Sequence, residues 1–199
     1  GCALSAASQF DEHPGVHTAF LRWRLRDPLL RVLEGAHRKA PFMGIHLQTV
    51  TEPDDLEVEE RLLWSEALRH YAEMFDGERT VRIGGIDRTR PTQLARHPYR
   101  LGGALDLVLH HPDESLVEYR HLSLWGRPLP ADPLGELEIM VPVIRLVALK
   151  VVPVGPIRLR VVEQGLGQQV VVDVDLAAEL GQLQTTLTDR LVEELPSPA

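Results

Sequence analysis

The chain has 199 residues, enough for one domain with a sizeable core, and its 44% hydrophobic and 25% charged residues place it among globular proteins rather than disordered or fibrous ones. A formal charge of −8 argues against tight autonomous DNA binding, which rewards a basic face, although the stretch from Arg22 to Lys39 holds five Arg and one Lys against two acids. The single cysteine, Cys2, excludes an internal disulfide or a multi-cysteine metal site built from this chain, and no apolar run reaches the ~18 residues that span a bilayer, so a reducing, cytoplasmic setting without membrane contact is expected.

From Val16 to Lys39 apolar residues recur at near-helical spacing, which predicts a helix with a break at Asp27-Pro28, because the residue before proline avoids the α region. A stronger amphipathic helix is expected from Asp54 to Phe75, opened by a proline and acids that suit a helix N-terminus. After Asp76-Gly77 the texture becomes strand-like. TVRIGGI alternates, a charged connector runs from Asp87 to Pro98, and RLGGALDLVLHH, the turn HPDES and SLVEYRHLSLW read as a β-hairpin.

GRPLPADPLG is a loop. The apolar run ELEIMVPVIRLVALKVV is helix or buried strand, since periodicity alone does not separate the two. PIRLRVVEQ and QQVVVDVD form a second hairpin, and a closing helix spans 176–194. The expected organisation is a single domain over 1–199: helices within 15–75, a sheet core over 78–175 and the final helix. The fold class is α/β, a mixed central sheet flanked by helices.

The segment that can carry chemistry is GALDLVLHHPDESLVEYRHLSLW. Asp106 lies on its first strand, while Glu118 and Arg120 share a parity on the second and hence one face. Pairing across HPDES is expected to bring the two carboxylates together, and two such groups repel unless one is protonated or a cation is bound. A hard divalent ion takes oxygen ligands of this kind, lowers the pKa of bound water and stabilises developing phosphate charge.

GALDLVL, a short turn, then LVEYR resembles the PD-(D/E)XK nuclease motif, in which an Asp ends one strand and an acid-x-Lys lies on the next. Further segments are similar to RecB-like nuclease domains: LSAASQFDEHPG near the start, MGIHLQTV with its Gly-x-x-His, and the closing PIRLRVVEQGLGQQVVVDVD hairpin. The resemblance implies a restriction-endonuclease-like αβββαβ core and metal-dependent hydrolysis of DNA phosphodiesters. It assigns Asp106, Glu118 and Arg120 to the catalytic set, and His46, Asp106 and Glu118 to a Mg²⁺ site that also accepts Mn²⁺. It further implies a DNA substrate and a place in a helicase–nuclease, defence or DNA-repair assembly.

Two departures stand against this. The lysine position holds Arg120, whose guanidinium stays protonated and is a poor proton acceptor. The helix after the hairpin lacks the Gln-x-x-x-Tyr motif of active RecB-like domains. A nuclease-like scaffold or nucleic-acid-binding module without catalysis is therefore the second expectation.

Taken singly, Asp106 and Glu118 also read as solvated charges on a hairpin, and His46 as a capping or surface histidine. Arg22, Arg24 and Arg31, the candidate DNA-contacting set, also read as a solvated helix face, together with Arg26 and Arg38. Asp87 in GGIDRTRP competes with Asp106 for the motif aspartate. Tyr119 and Trp125 read as packing residues, and the His110-His111 pair sits in a turn, where it would hold a metal only weakly.

Overall fold

A computed structural model describes residues 14–43, 54–86, 90–94, 100–102, 105–123, 128–163 and 166–194, with the side chains of 14–24, 41–43, 123 and 194 outside that description. By its internal contacts the chain divides into two compact units. The first comprises residues 1–79, 123–127 and 163–168; the second comprises 80–122, 128–162 and 169–199.

In the first unit, helix α1 spans Pro14–Met43 and α2 spans Val58–Met74. α1 runs through Asp27-Pro28, where the sequence predicts a break. Proline forgoes one helical donor, and burial of Leu25, Leu29, Leu30 and Leu33 along one face offsets that loss. Each such leucine contributes ~1.5–3 kcal/mol when fully buried. The α2 start is closed by Glu60, whose Oε2 accepts the Glu57 backbone N–H at 2.9 Å. Within this unit Tyr71 and His37 are both wholly buried; the Tyr71 hydroxyl lies 2.6 Å from His37 Nε2, with the rings edge to face.

The second unit holds the sheet. In chain order it contains β1 (Arg82–Ile83), β2 (Thr92–Gln93), β3 (Arg100–Leu101), β4 (Leu107–His111), β5 (Leu116–Ser123), helix α3 (Leu137–Ala148), β6 (Pro156–Glu163), β7 (Gln168–Asp175) and helix α4 (Leu176–Glu194). The last residue of β6 and the first of β7 belong to the first unit. Five strands form a mixed, mostly antiparallel sheet in the order β1-β4-β5-β6-β7, and β2 pairs separately with β3. The protein is thus α/β with a mixed sheet flanked by helices, as expected. The ambiguous apolar run proves to be helix: its buried residues Ile139, Met140, Val143 and Ile144 follow a helical rather than an alternating spacing.

One sheet face carries Val108, Tyr119, Ile157, Leu159 and Val161, which pack in one core cluster with residues of α3 and with Leu183 and Leu187 of α4. β4 and β5 meet in an antiparallel hairpin closed by a 3-10 turn over Pro112–Glu114, with Ser115 left-handed at φ 51°. At the outer edge Gly84 donates its N–H to the Val108 carbonyl at 2.7 Å. A Cβ there would lie 3.0 Å from the His110 ring and 3.3 Å from the Val108 carbonyl oxygen, so the close approach favours glycine. Among the described residues no helix is long and apolar enough to cross a membrane.

Candidate functional site

The β4–β5 register decides where each expected ligand points. Leu107 pairs with Arg120, Leu109 with Glu118 and His111 with Leu116. Directly paired residues share a face. Extended by one residue, the register sets Asp106 opposite His121, on the face of Val108 and Tyr119, whereas Glu118, Arg120 and His111 lie on the other face. The expected convergence of Asp106 and Glu118 in one pocket is therefore not what the hairpin delivers.

Asp106 is fully buried, and its Oδ2 accepts the Leu122 backbone N–H at 2.9 Å. The same oxygen lies 3.0 Å from His121 Nδ1, and His121 Nε2 is 3.7 Å from Glu138 on α3. Asp106 thus ties the entry of β4 to β5 and orients a buried histidine. The tie is structural chemistry: a buried carboxylate accepting a strand amide.

Glu118 is the centre of a denser cluster. Its Oε1 accepts Arg120 Nε at 2.7 Å and Arg160 Nε at 2.9 Å; its Oε2 accepts His111 Nε2 at 3.0 Å and Arg160 Nη2 at 3.3 Å. Glu118 and Arg120 are both fully buried. Burial alone would raise the Glu118 carboxyl, but the His111 hydrogen bond and the positive charges of Arg120 and Arg160 outweigh it and hold the group well below the usual carboxylate range. An ionised carboxylate is an acceptor only, so His111 Nε2 carries the hydrogen of that bond. The polar row continues on the same face: Arg158 of β6 bonds Asp173 of β7 and Glu114 of the hairpin turn, each at 3.0 Å.

Among the described residues, Asp106 and Glu118 do not form the donor set of a hard divalent ion. Such an ion needs carboxylate oxygens with open lone pairs in near-octahedral array. Both Glu118 oxygens already accept from cationic groups, and Asp106 serves the opposite face. Among the described residues no group of three or more His, Cys, Asp or Glu side chains is arranged to hold a metal ion. His46 and the competing Asp87 lie outside the described residues. Arg22 and Arg24 sit in α1 at positions whose side chains are not described, and Arg31 is exposed, its Nε 3.4 Å from the Asp27 carbonyl.

Sequence reasoning did not assign roles to His111, His121 and Arg160. The signal for Arg160 was present: in PIRLRVVEQ the inward positions are apolar and the alternate positions are both arginine, facing the strand that carries Glu118-x-Arg120. His111 ends β4 rather than sitting in the turn, and its ring closes on Glu118. Arg145, which sequence alone marks only as a break in an apolar run, is buried in α3. Burial pushes its guanidinium down, and Nη2 donates to the Arg90 carbonyl at 2.8 Å. Neither a protein-family model nor a curated protein matches the chain.

Proposed function

We propose that this domain works without metal-dependent hydrolysis, as a scaffold or nucleic-acid-binding module within a larger assembly. The observation that supports it is the saturation of Glu118 by Arg120, Arg160 and His111. In a metal-dependent nuclease that carboxylate coordinates the ion and the following basic residue, a lysine, manages a proton. In this chain a guanidinium stands at the second position and bonds the carboxylate directly. Arg120 and Arg160 supply internally the positive charge that a divalent ion would otherwise bring.

The alternative is metal-dependent DNA hydrolysis, which requires a second carboxylate, Asp106 or the competing Asp87, in one pocket with Glu118. The two readings separate in a nicking assay on supercoiled DNA with Mg²⁺ or Mn²⁺. The scaffold reading predicts no cleavage at any protein concentration. Cleavage that disappears in both Asp106→Ala and Glu118→Gln would establish the hydrolase.

A further inference from the structure

A groove of about 550 Å³ lies in the second unit, between β7, α3 and α4. Its floor is apolar, formed by Leu134, Met140, Val172, Val174 and Leu183, while Asp132, Asp173, Asp175 and Glu179 stand around it against one cation, Arg190. Two of these acids have work inside the fold: Asp173 pairs with Arg158, and Asp175 Oδ1 accepts the Ala177 N–H at 3.0 Å at the start of α4. Asp132 and Glu179 are exposed at the rim. The arrangement offers apolar contact below and, among the described residues, a net negative charge at the sides, from Asp132, Asp175 and Glu179 against Arg190.

β7 itself is the second feature. It is the terminal strand of the five-stranded order, eight residues long, and its sequence QQVVVDVD contains neither proline nor lysine. Edge strands are ordinarily blunted by proline, charged side chains, bulges or a covering segment, because an edge presents alternate N–H and C=O groups to any added strand; of these, β7 carries only the charges of Asp173 and Asp175 among the described residues. Here Val171 is 45% exposed on that strand. An alternating segment laid along β7 would set one row of side chains over Val172 and Val174 and the other row beside Asp173 and Asp175.

We propose that this groove docks an extended segment of a partner protein in which apolar residues alternate with Lys or Arg, added as a sixth strand beside β7. Main-chain hydrogen bonds supply affinity, the apolar floor fixes register, and the acids select for positive charge. The proposal names the partner chemistry for the scaffold reading and rests on it, yet the two fail separately: divalent-dependent cleavage would remove the scaffold reading and leave the groove as it is.

The test uses the whole chain and two synthetic peptides, one alternating Lys and Val, the other Glu and Val. Affinity is read by calorimetry at low and high salt, and protection by amide hydrogen exchange. The Lys–Val peptide is expected to bind at low salt, to weaken by about tenfold or more at high salt, and to slow exchange of β7 amides. The Glu–Val peptide should not bind. Asp132→Lys with Glu179→Lys, both at exposed positions, should weaken binding by about tenfold or more, with a native circular dichroism spectrum confirming that the variant is folded. Equal binding of both peptides, binding without β7 protection, or full binding by the charge-reversed variant overturns the proposal. So does concentration-dependent dimerisation that protects β7 without peptide, since the occupant would then be a second copy.

Discussion

Asp106 and Glu118 belong to adjoining strands of one hairpin and face opposite sides of the sheet, because the partner opposite Asp106 is His121 and the partner of Glu118 is Leu109. One carboxylate serves a strand amide and a histidine; the other serves two guanidiniums and a second histidine. The consequences separate cleanly enough to be measured.

Acid should weaken the fold through Glu118. Its folded pKa is depressed, and the unfolded carboxyl titrates near 4.5. The unfolded state therefore binds the extra proton as pH falls, so the stabilisation is complete above that value and is lost progressively below it. Urea midpoints of the wild type should drop more steeply than those of Glu118→Gln below about pH 5, the two curves approaching each other in acid. Parallel curves would show that Glu118 is not held ionised.

Removing one member of the buried cluster should cost more than removing two. Arg120→Met leaves Glu118 short of its closest cation and is expected to lose about 3–5 kcal/mol. The double variant Glu118→Leu, Arg120→Met should recover part of that loss. Denaturation of the two single variants and the double gives the coupling, and a single-variant loss below about 1 kcal/mol would mean that solvent screens the pair.

Asp106→Leu tests the opposite face. Oδ2 is the acceptor for the Leu122 N–H at 2.9 Å and lies 3.0 Å from His121 Nδ1, and a leucine offers neither group an acceptor. The expected loss is about 1–3 kcal/mol, with faster hydrogen exchange at Leu122 than at other central β5 amides. Wild-type exchange at Leu122 in the variant would contradict the tie.

The first unit offers an independent check. Tyr71→Phe removes the hydroxyl 2.6 Å from the buried His37 Nε2 while keeping the ring. A loss of about 1–3 kcal/mol by thermal or urea denaturation is expected, because the histidine nitrogen gives up a hydrogen bond and the space admits no solvent to replace it. An unchanged midpoint would place that bond outside the stabilising set.

The β4–β5 hairpin was legible because the turn chemistry of HPDES separates the apolar run LDLVL from SLVEYRHLSLW, where apolar and polar residues alternate. The closing helix was legible from its leucine spacing. The facing of the acids was not: side chains alternate with period two, so a one-residue difference in register reverses every side chain on a strand. Here the four residues between His111 and Leu116 set the pairing, and nothing local to Asp106 records it. Pro28 misled in the other direction, since local avoidance of the α region was overridden by the buried leucine stripe of α1. The Glu118 cluster needed β6 beside β5 to bring in Arg160, a neighbour 42 residues away in sequence.

Glu118 is fully engaged by the protein's own cations. The direct measurement is the melting temperature of the intact chain titrated with Mg²⁺ and Mn²⁺, with Glu118→Gln in parallel. A native-state ligand raises the melting temperature by mass action. No shift is predicted for either protein with either ion. A saturable rise in the wild type that Glu118→Gln abolishes would show the carboxylate open to a metal and would contradict the account.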